Sequence, residues 1–177
     1  DDVLMIRTAG LDDINTIGYL AYQVWPTAYK DILTFEQLHY MLQYFYSPAA
    51  LKEQMVSKQH VFVIAEKEED EPLGFASYSE IKKGVFKLHK LYILPATQGK
   101  NVGRTLLEAV EDDCRELGGK KLILNVNRFN KARTFYEKLG YAITGEEKVD
   151  IGNGFIQDDY IMEKELGRGF EKEIRTS

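Results

Sequence analysis

The chain has 177 residues, 44% of them hydrophobic and 29% charged, which is enough material for a substantial core in a single domain. A net charge of −5, without a basic stripe or zinc-finger spacing, argues against a nucleic-acid partner and favours cationic ones. The single cysteine, Cys114, excludes an internal disulfide and a cysteine metal cluster, and no apolar run reaches membrane-spanning length. With no signal-peptide pattern at the start, a cytoplasmic protein with no metal and no membrane partner is expected.

Residues 3–7 predict a first strand. Ile14, Ile17, Leu20, Ala21 and Val24 recur at helical spacing, so a helix follows over residues 11–24. Trp25-Pro26 is expected to break that helix and open a loop through residue 33. Phe35, Leu38, Leu42 and Phe45 predict a second helix. Ser47-Pro48 reads as an N-cap followed by a first-turn proline, opening a third helix to about residue 58.

Strands come next, over residues 61–66, 73–81 and 85–94, separated by a charged turn at 68–72 and by Lys82-Lys83-Gly84. After a glycine-bearing loop, Val102, Leu106, Leu107, Val110, Cys114 and Leu117 form one helix face, which Gly118-Gly119 terminates. Cys114 falls on that face as a small core residue rather than a nucleophile. Residues 121–127 predict a strand and 130–139 a short helix ending at Gly140. Residues 141–149 and 155–164 predict a hairpin around Gly152-Asn153-Gly154. The polar tail, 167–177, is expected to be disordered. The whole reads as an α/β chain without internal repeats.

The segment around the glycine-bearing loop carries the most chemistry. Leu91-Tyr92-Ile93-Leu94 stops at Pro95, and Gln98-Gly99-Lys100-Asn101-Val102-Gly103-Arg104 leads into the amphipathic helix. A strand, a tight turn and a helix N-terminus gather free N–H groups into an anion cradle. Many such turns bind nothing, so the loop by itself leaves phosphate binding open. It has neither Gly-x-x-x-x-Gly-Lys-Ser/Thr nor Gly-x-Gly-x-x-Gly, which disfavours a nucleoside triphosphatase or a dinucleotide enzyme.

The loop resembles the acyl-CoA pyrophosphate site of the GNAT superfamily of acetyltransferases, whose pattern is Gln/Arg-x-x-Gly-x-Gly/Ala. Asn101 stands where that pattern has glycine. If the glycine serves a positive φ, asparagine tolerates it; if it serves close approach of a phosphate, the Asn side chain crowds the site. A second segment strengthens the resemblance. Asn130-Lys131-Ala132-Arg133-Thr134-Phe135-Tyr136-Glu137-Lys138-Leu139-Gly140-Tyr141 is similar to the family's Asn-x-x-Ala-x-x-Phe-Tyr-x-x-x-Gly-Phe/Tyr, with Asn130 displaced by one position. Alone, Phe135-Tyr136 reads as helix core; after the loop upstream it reads as part of a site.

The resemblance implies a GNAT fold: a mixed, mostly antiparallel sheet of six to seven strands, splayed between the fourth and fifth, with helices on both faces. It implies acetyl-CoA as co-substrate, bound by Leu91, Tyr92, Ile93, the loop from Gln98, Gly99, Lys100, Asn101, Val102 and Gly103 to Arg104, and Asn125, Asn130, Phe135 and Lys138. The pantetheine arm is expected to pair with the exposed strand edge, and a backbone N–H near Leu91–Ile93 to meet the oxyanion. Tyr136 is the implied general acid: a phenol of ordinary pKa, about 10, stays protonated at pH 7 and can protonate the leaving thiolate.

The acceptor amine must also lose a proton, because a lysine-like amine is neutral in only roughly one molecule in a few thousand at pH 7. Relatives use a glutamate two residues before His89, but Lys87 occupies that position here. His89, Glu80 at the end of the preceding strand, or a water chain are the alternatives. Tyr22, Trp25, Tyr29, Tyr40, Phe45 and Tyr46 crowd the N-terminal third; helix core is the bland reading. Trp25 and Tyr29 are the expected wall of an acceptor pocket for a small-molecule amine of polyamine kind. Asp158 and Asp159 are candidates for receiving a second amine. A homodimer is a possible assembly, and a noncatalytic acyl-CoA-binding module is the alternative function.

Overall fold

A computed structural model describes residues 4–68, 70–97 and 101–167. Among the described residues, seven strands and five α-helices follow one another along the chain. They are β1 (Met5–Thr8), α1 (Ile14–Ala28), α2 (Phe35–Tyr46), α3 (Pro48–Val56), β2 (Val61–Glu66), β3 (Pro72–Lys82) and β4 (Val85–Ile93). After these come α4 (Val102–Glu116), β5 (Lys121–Asn127), α5 (Ala132–Lys138), β6 (Ala142–Gly152) and β7 (Phe155–Glu165). The strands form one sheet in the order β1-β2-β3-β4-β5-β7-β6. The β4–β5 pair is parallel, whereas β1–β2, β2–β3, β5–β7 and β6–β7 are antiparallel. The expected tail lies almost wholly outside the described residues, as do Gln98, Gly99 and Lys100 of the loop.

The chain divides into two compact units, Asp1–Ser79 with Lys90–Ala109, and Glu80–His89 with Val110–Ser177. In the first, α1 buries Ile17, Leu20, Ala21, Val24 and Trp25, an apolar stripe at helical spacing. They share a core with Leu51 of α3, Phe62 and Ile64 of β2 and Phe75 of β3, none above 3% exposure. Arg7 ties β1 to its surroundings through Glu66 and Asp13. Thr34 and Ser47 cap α2 and α3 with their hydroxyls, at 3.1 Å from Gln37 N and 3.2 Å from Ala50 N.

One expectation fails here. Trp25-Pro26 does not break the first helix, which runs on to Ala28, where Tyr29 N still donates to Trp25 O at 3.0 Å. Proline removes one donor and clashes with the carbonyl four residues earlier. The helix carries that cost, and Trp25 in the same turn is buried at 3% exposure.

In the second unit β5 lies between β4 and β7. Its buried residues Leu122, Leu124 and Val126 alternate with half-exposed ones, as a strand with one core face requires. β6 and β7 form the predicted hairpin, and Asn153 and Gly154 both take positive φ at its tip, matching a two-residue turn. The register of β4 with β5 runs only from Val85↔Lys121 to Leu88↔Leu124, while β5 continues with β7 to Asn127↔Asp159. The pairing of the two parallel strands therefore ends midway, as the splayed fourth and fifth strands require.

Candidate functional site

The first unit holds the glycine-loop side. Asn101 has φ +62°, so the asparagine supplies a left-handed turn where glycine was expected. Its carbonyl accepts from Thr105 N at 3.0 Å and Thr105 Oγ1 at 2.8 Å, which starts α4. The N–H groups of Val102, Gly103 and Arg104 then fall in the first turn, where no intrahelical acceptor exists. Val102 is buried, and exposed Arg104 leans on Glu108 at 3.2 Å. Upstream, Gly74 lets β3 approach β4 closely: a Cβ there would lie 2.6 Å from Tyr92 O and from the Ile93 side chain. A glycine hidden in β3 thus shapes the Leu91–Ile93 backbone, a dependence that the motif did not signal.

The aromatics of the N-terminal third form one cluster. Trp25 is 3% exposed and has rings on several sides: Tyr29 at 4.6 Å, Tyr46 and Tyr92 at 5.6 Å and Phe45 at 6.2 Å. The Tyr29 and Tyr92 hydroxyls are bonded at 2.8 Å. Trp25 thus braces the cluster from inside, and Tyr29 stands nearer its surface. Tyr46 is buried, and burial holds its phenol well above the ordinary range. A cavity of about 340 Å³ opens between α1 and the α2–α3 junction, lined by Tyr19, Tyr22, Gln43, Tyr46 and Ser47 among others.

Sequence reading passed over Lys90. It lies on the same face of β4 as Tyr92 and is 8% exposed. Its Nζ sits 5.5 Å from the Tyr46 ring, 5.7 Å from Phe45 and 5.8 Å from Phe62. No described carboxylate pairs with it. Burial, helped by the positive charge of Lys58, lowers its pKa to about 7.

The second unit holds the Tyr136 side. Tyr136 on α5 is 8% exposed, with its ring edge-on to Phe135 at 5.2 Å and to Tyr141 at 5.8 Å. Asn130 Oδ1 accepts from Ala132 N at 2.8 Å and starts α5; Lys138 is exposed at its end. Tyr141 donates to Glu111 at 2.6 Å, and Lys164 reaches the same carboxylate at 3.0 Å. Asn125 Nδ2 bridges Glu147 at 2.9 Å and Asp159 at 3.2 Å.

Asp158 and Asp159 differ sharply from each other. Asp158 pairs with Arg128 at 3.1 Å, and that guanidinium holds its carboxyl below the usual range. Asp159 is 7% exposed rather than solvated, and burial raises its pKa, with Asn125 opposing. Of the candidate bases, Glu80 accepts from Gly84 N at 3.0 Å, so its carboxylate staples the β3–β4 turn. His89 is half-buried on β4, on the opposite face from Lys90.

These features match a known family. The Acetyltransferase (GNAT) domain profile covers residues 31–165, and the chain belongs to this family of acetyltransferases. The spermidine N(1)-acetyltransferase of Thermoplasma acidophilum is 27% identical over 163 residues, which is 90% of this chain and 95% of that one. An uncharacterized N-acetyltransferase of Bacillus subtilis, YhfO, is 34% identical over 99 residues, 52% of this chain and 66% of that relative. The crystal structure of PaiA N-acetyltransferase from Thermoplasma acidophilum in complex with coenzyme A superposes with a TM-score of 0.78. It is 27% identical and covers 92% of this chain and 99% of that one. The protein is an acetyltransferase of the GNAT fold that uses acetyl-CoA. No described helix is long and apolar enough to cross a membrane.

Proposed function

We propose that the enzyme moves the acetyl group of acetyl-CoA to a primary amine of a small molecule, polyamine-like or amino-acid-like. The amine attacks the thioester directly in a ternary complex. The C–N bond forms as the C–S bond breaks, and Tyr136 delivers a proton to the departing sulfur. The observation that carries this reading is the placement of Tyr136: a nearly buried phenol whose ring is held edge-on by Phe135 and Tyr141. A donor oriented in advance needs little reorganisation as negative charge develops on sulfur.

Other observations support the two substrates. The left-handed Asn101 and the first-turn N–H groups of α4, which have no acceptor within the helix, suit a pyrophosphate. The aromatic cluster around Trp25 and Tyr29 suits a cationic or apolar acceptor, since aromatic faces attract ammonium groups. The relative named a spermidine acetyltransferase aligns along nearly the whole chain, which favours a polyamine among the amines.

The test is free-thiol release from acetyl-CoA against polyamines, amino acids and lysine peptides. Turnover is expected with at least one polyamine. Tyr136→Phe should lower kcat by about 10²- to 10⁴-fold while leaving acetyl-CoA affinity within a few-fold. Coenzyme A binding without thiol release for any acceptor would mean a noncatalytic binding module instead.

A further inference from the structure

Lys90 is an amine that neither the family match nor the Tyr136 chemistry uses. Burial strips it of water, and no described carboxylate replaces that water. Three aromatic rings surround it instead, from Phe45 and Tyr46 on α2 and from Phe62 on β2. Two further buried polar atoms beside these residues also lack partners among the described residues. Gln54 Oε1 belongs to a side chain whose Nε2 donates to Phe45 O at 2.9 Å. Ser77 Oγ lies opposite Phe62 in the β2–β3 register, and so on the same sheet face. Orphaned polar atoms in one region mark a place for water.

We propose that Lys90 takes the proton that the acceptor's ammonium must shed before it attacks the thioester, with water as the bridge. This rests on the amine-acetylation reading and supplies the base that it lacks. Lys90 belongs to the same aromatic cluster as the expected acceptor wall: Tyr46 meets Trp25 at 5.6 Å, and Trp25 meets Tyr29 at 4.6 Å. It also precedes Leu91 directly on the strand whose backbone is assigned to the reacting carbonyl.

The proton count closes. R–NH₃⁺ gives one proton to the neutral Nζ and becomes R–NH₂. That amine forms the amide bond, the C–S bond breaks, and the remaining surplus N–H proton goes to sulfur through Tyr136. Lys90 then returns its proton to solvent. The groups facing Lys90 favour the neutral resting amine: Lys58 repels a proton, and Tyr46 stays an uncharged phenol.

The experiment compares wild type, Lys90→Met and Lys90→Arg with two acceptors, spermidine and trifluoroethylamine, the second being largely neutral at pH 7. Circular dichroism and coenzyme A titration check the fold of each variant. Lys90→Met should lower kcat with spermidine at pH 7 by about 10²-fold, yet lower it only a few-fold with trifluoroethylamine. Its spermidine rate should keep climbing with pH where wild type levels off. Lys90→Arg, which stays charged, should share the spermidine defect. Equal losses with both acceptors would make Lys90 merely structural, and an unchanged spermidine pH profile in either variant would overturn the proposal. Wild-type inactivity towards every amine would sink the amine reading itself.

Discussion

The hydroxyl of Tyr141 donates to the carboxylate of Glu111 across 2.6 Å, and Tyr141 also presents its ring to the edge of Tyr136. Glu111 is 4% exposed and would be a costly buried charge without this donor and Lys164, 3.0 Å away. Burial and the Glu111 charge together hold the Tyr141 phenol far above its ordinary range, so it stays a donor. The aromatic at the end of the motif is thus half of a buried polar pair that stands behind Tyr136.

Removing that hydroxyl gives the first prediction. Tyr141→Phe should destabilise the protein by about 1.5–3 kcal/mol, the range for a hydrogen bond to a charged group. Urea unfolding measures it; a change below a few tenths would show that Lys164 and Arg115 satisfy Glu111 without the hydroxyl.

Asn101 provides the second. With φ +62°, glycine fits the position and a β-branched residue does not. Asn101→Gly should keep stability within about 0.5 kcal/mol and retain coenzyme A affinity. Asn101→Val should cost about 1–2 kcal/mol and weaken coenzyme A binding. Melting curves and calorimetric titration read both, and a valine variant that binds as tightly as wild type would refute the backbone account.

The third concerns stability against pH. The Lys90 pKa is lowered by burial from about 10.5 in the unfolded chain to about 7 in the native state. Between those values the unfolded chain binds a proton that the native protein does not, so this contribution to stability rises with pH. It is smallest below pH 7, where both states are protonated, and complete only above about pH 10.5, where both are neutral. The span is on the order of 5 kcal/mol. Lys90→Met should be more stable than wild type at pH 7, and its unfolding free energy should lack the rise. A parallel pH dependence in both proteins would count against the buried neutral amine.

Cys114 supplies the fourth. It is fully buried on α4, and burial with the nearby carboxylates of Asp113 and Glu111 pushes its thiol up to about 12. At neutral pH the thiolate is then roughly one in 10⁴ to 10⁵, so thiol reagents should label the native protein orders of magnitude more slowly than the urea-unfolded chain. Native labelling as fast as free cysteine would contradict the packing of α4.

Much of the architecture was legible in the chain because its signals are local. Ser47-Pro48, Gly118 and Asn153-Gly154 impose their caps and turns through backbone dihedrals and neighbouring N–H groups. The helical spacing of α1 and α4 and the alternation of β5 state which face is apolar. The misjudged Pro26 shows the limit of this reasoning: its local cost was outweighed by the burial of Trp25, which depends on rings from α2 and β4.

The sequence by itself determined the family, through the Leu91–Gly103 and Ala132–Tyr141 patterns, and with it the donor. Only the tertiary structure decided which charged residues are buried. Lys90, Glu111 and Asp159 are each buried, although lysine, glutamate and aspartate usually stay in water. Whether such a group meets water, an aromatic ring or a counter-charge depends on residues far away in sequence, and so does its protonation. The left-handed turn at Asn101, in the loop to which acetyl-CoA is assigned, is a matter of local geometry, whereas the proton chemistry proposed for Lys90 depends on an environment that only folding creates.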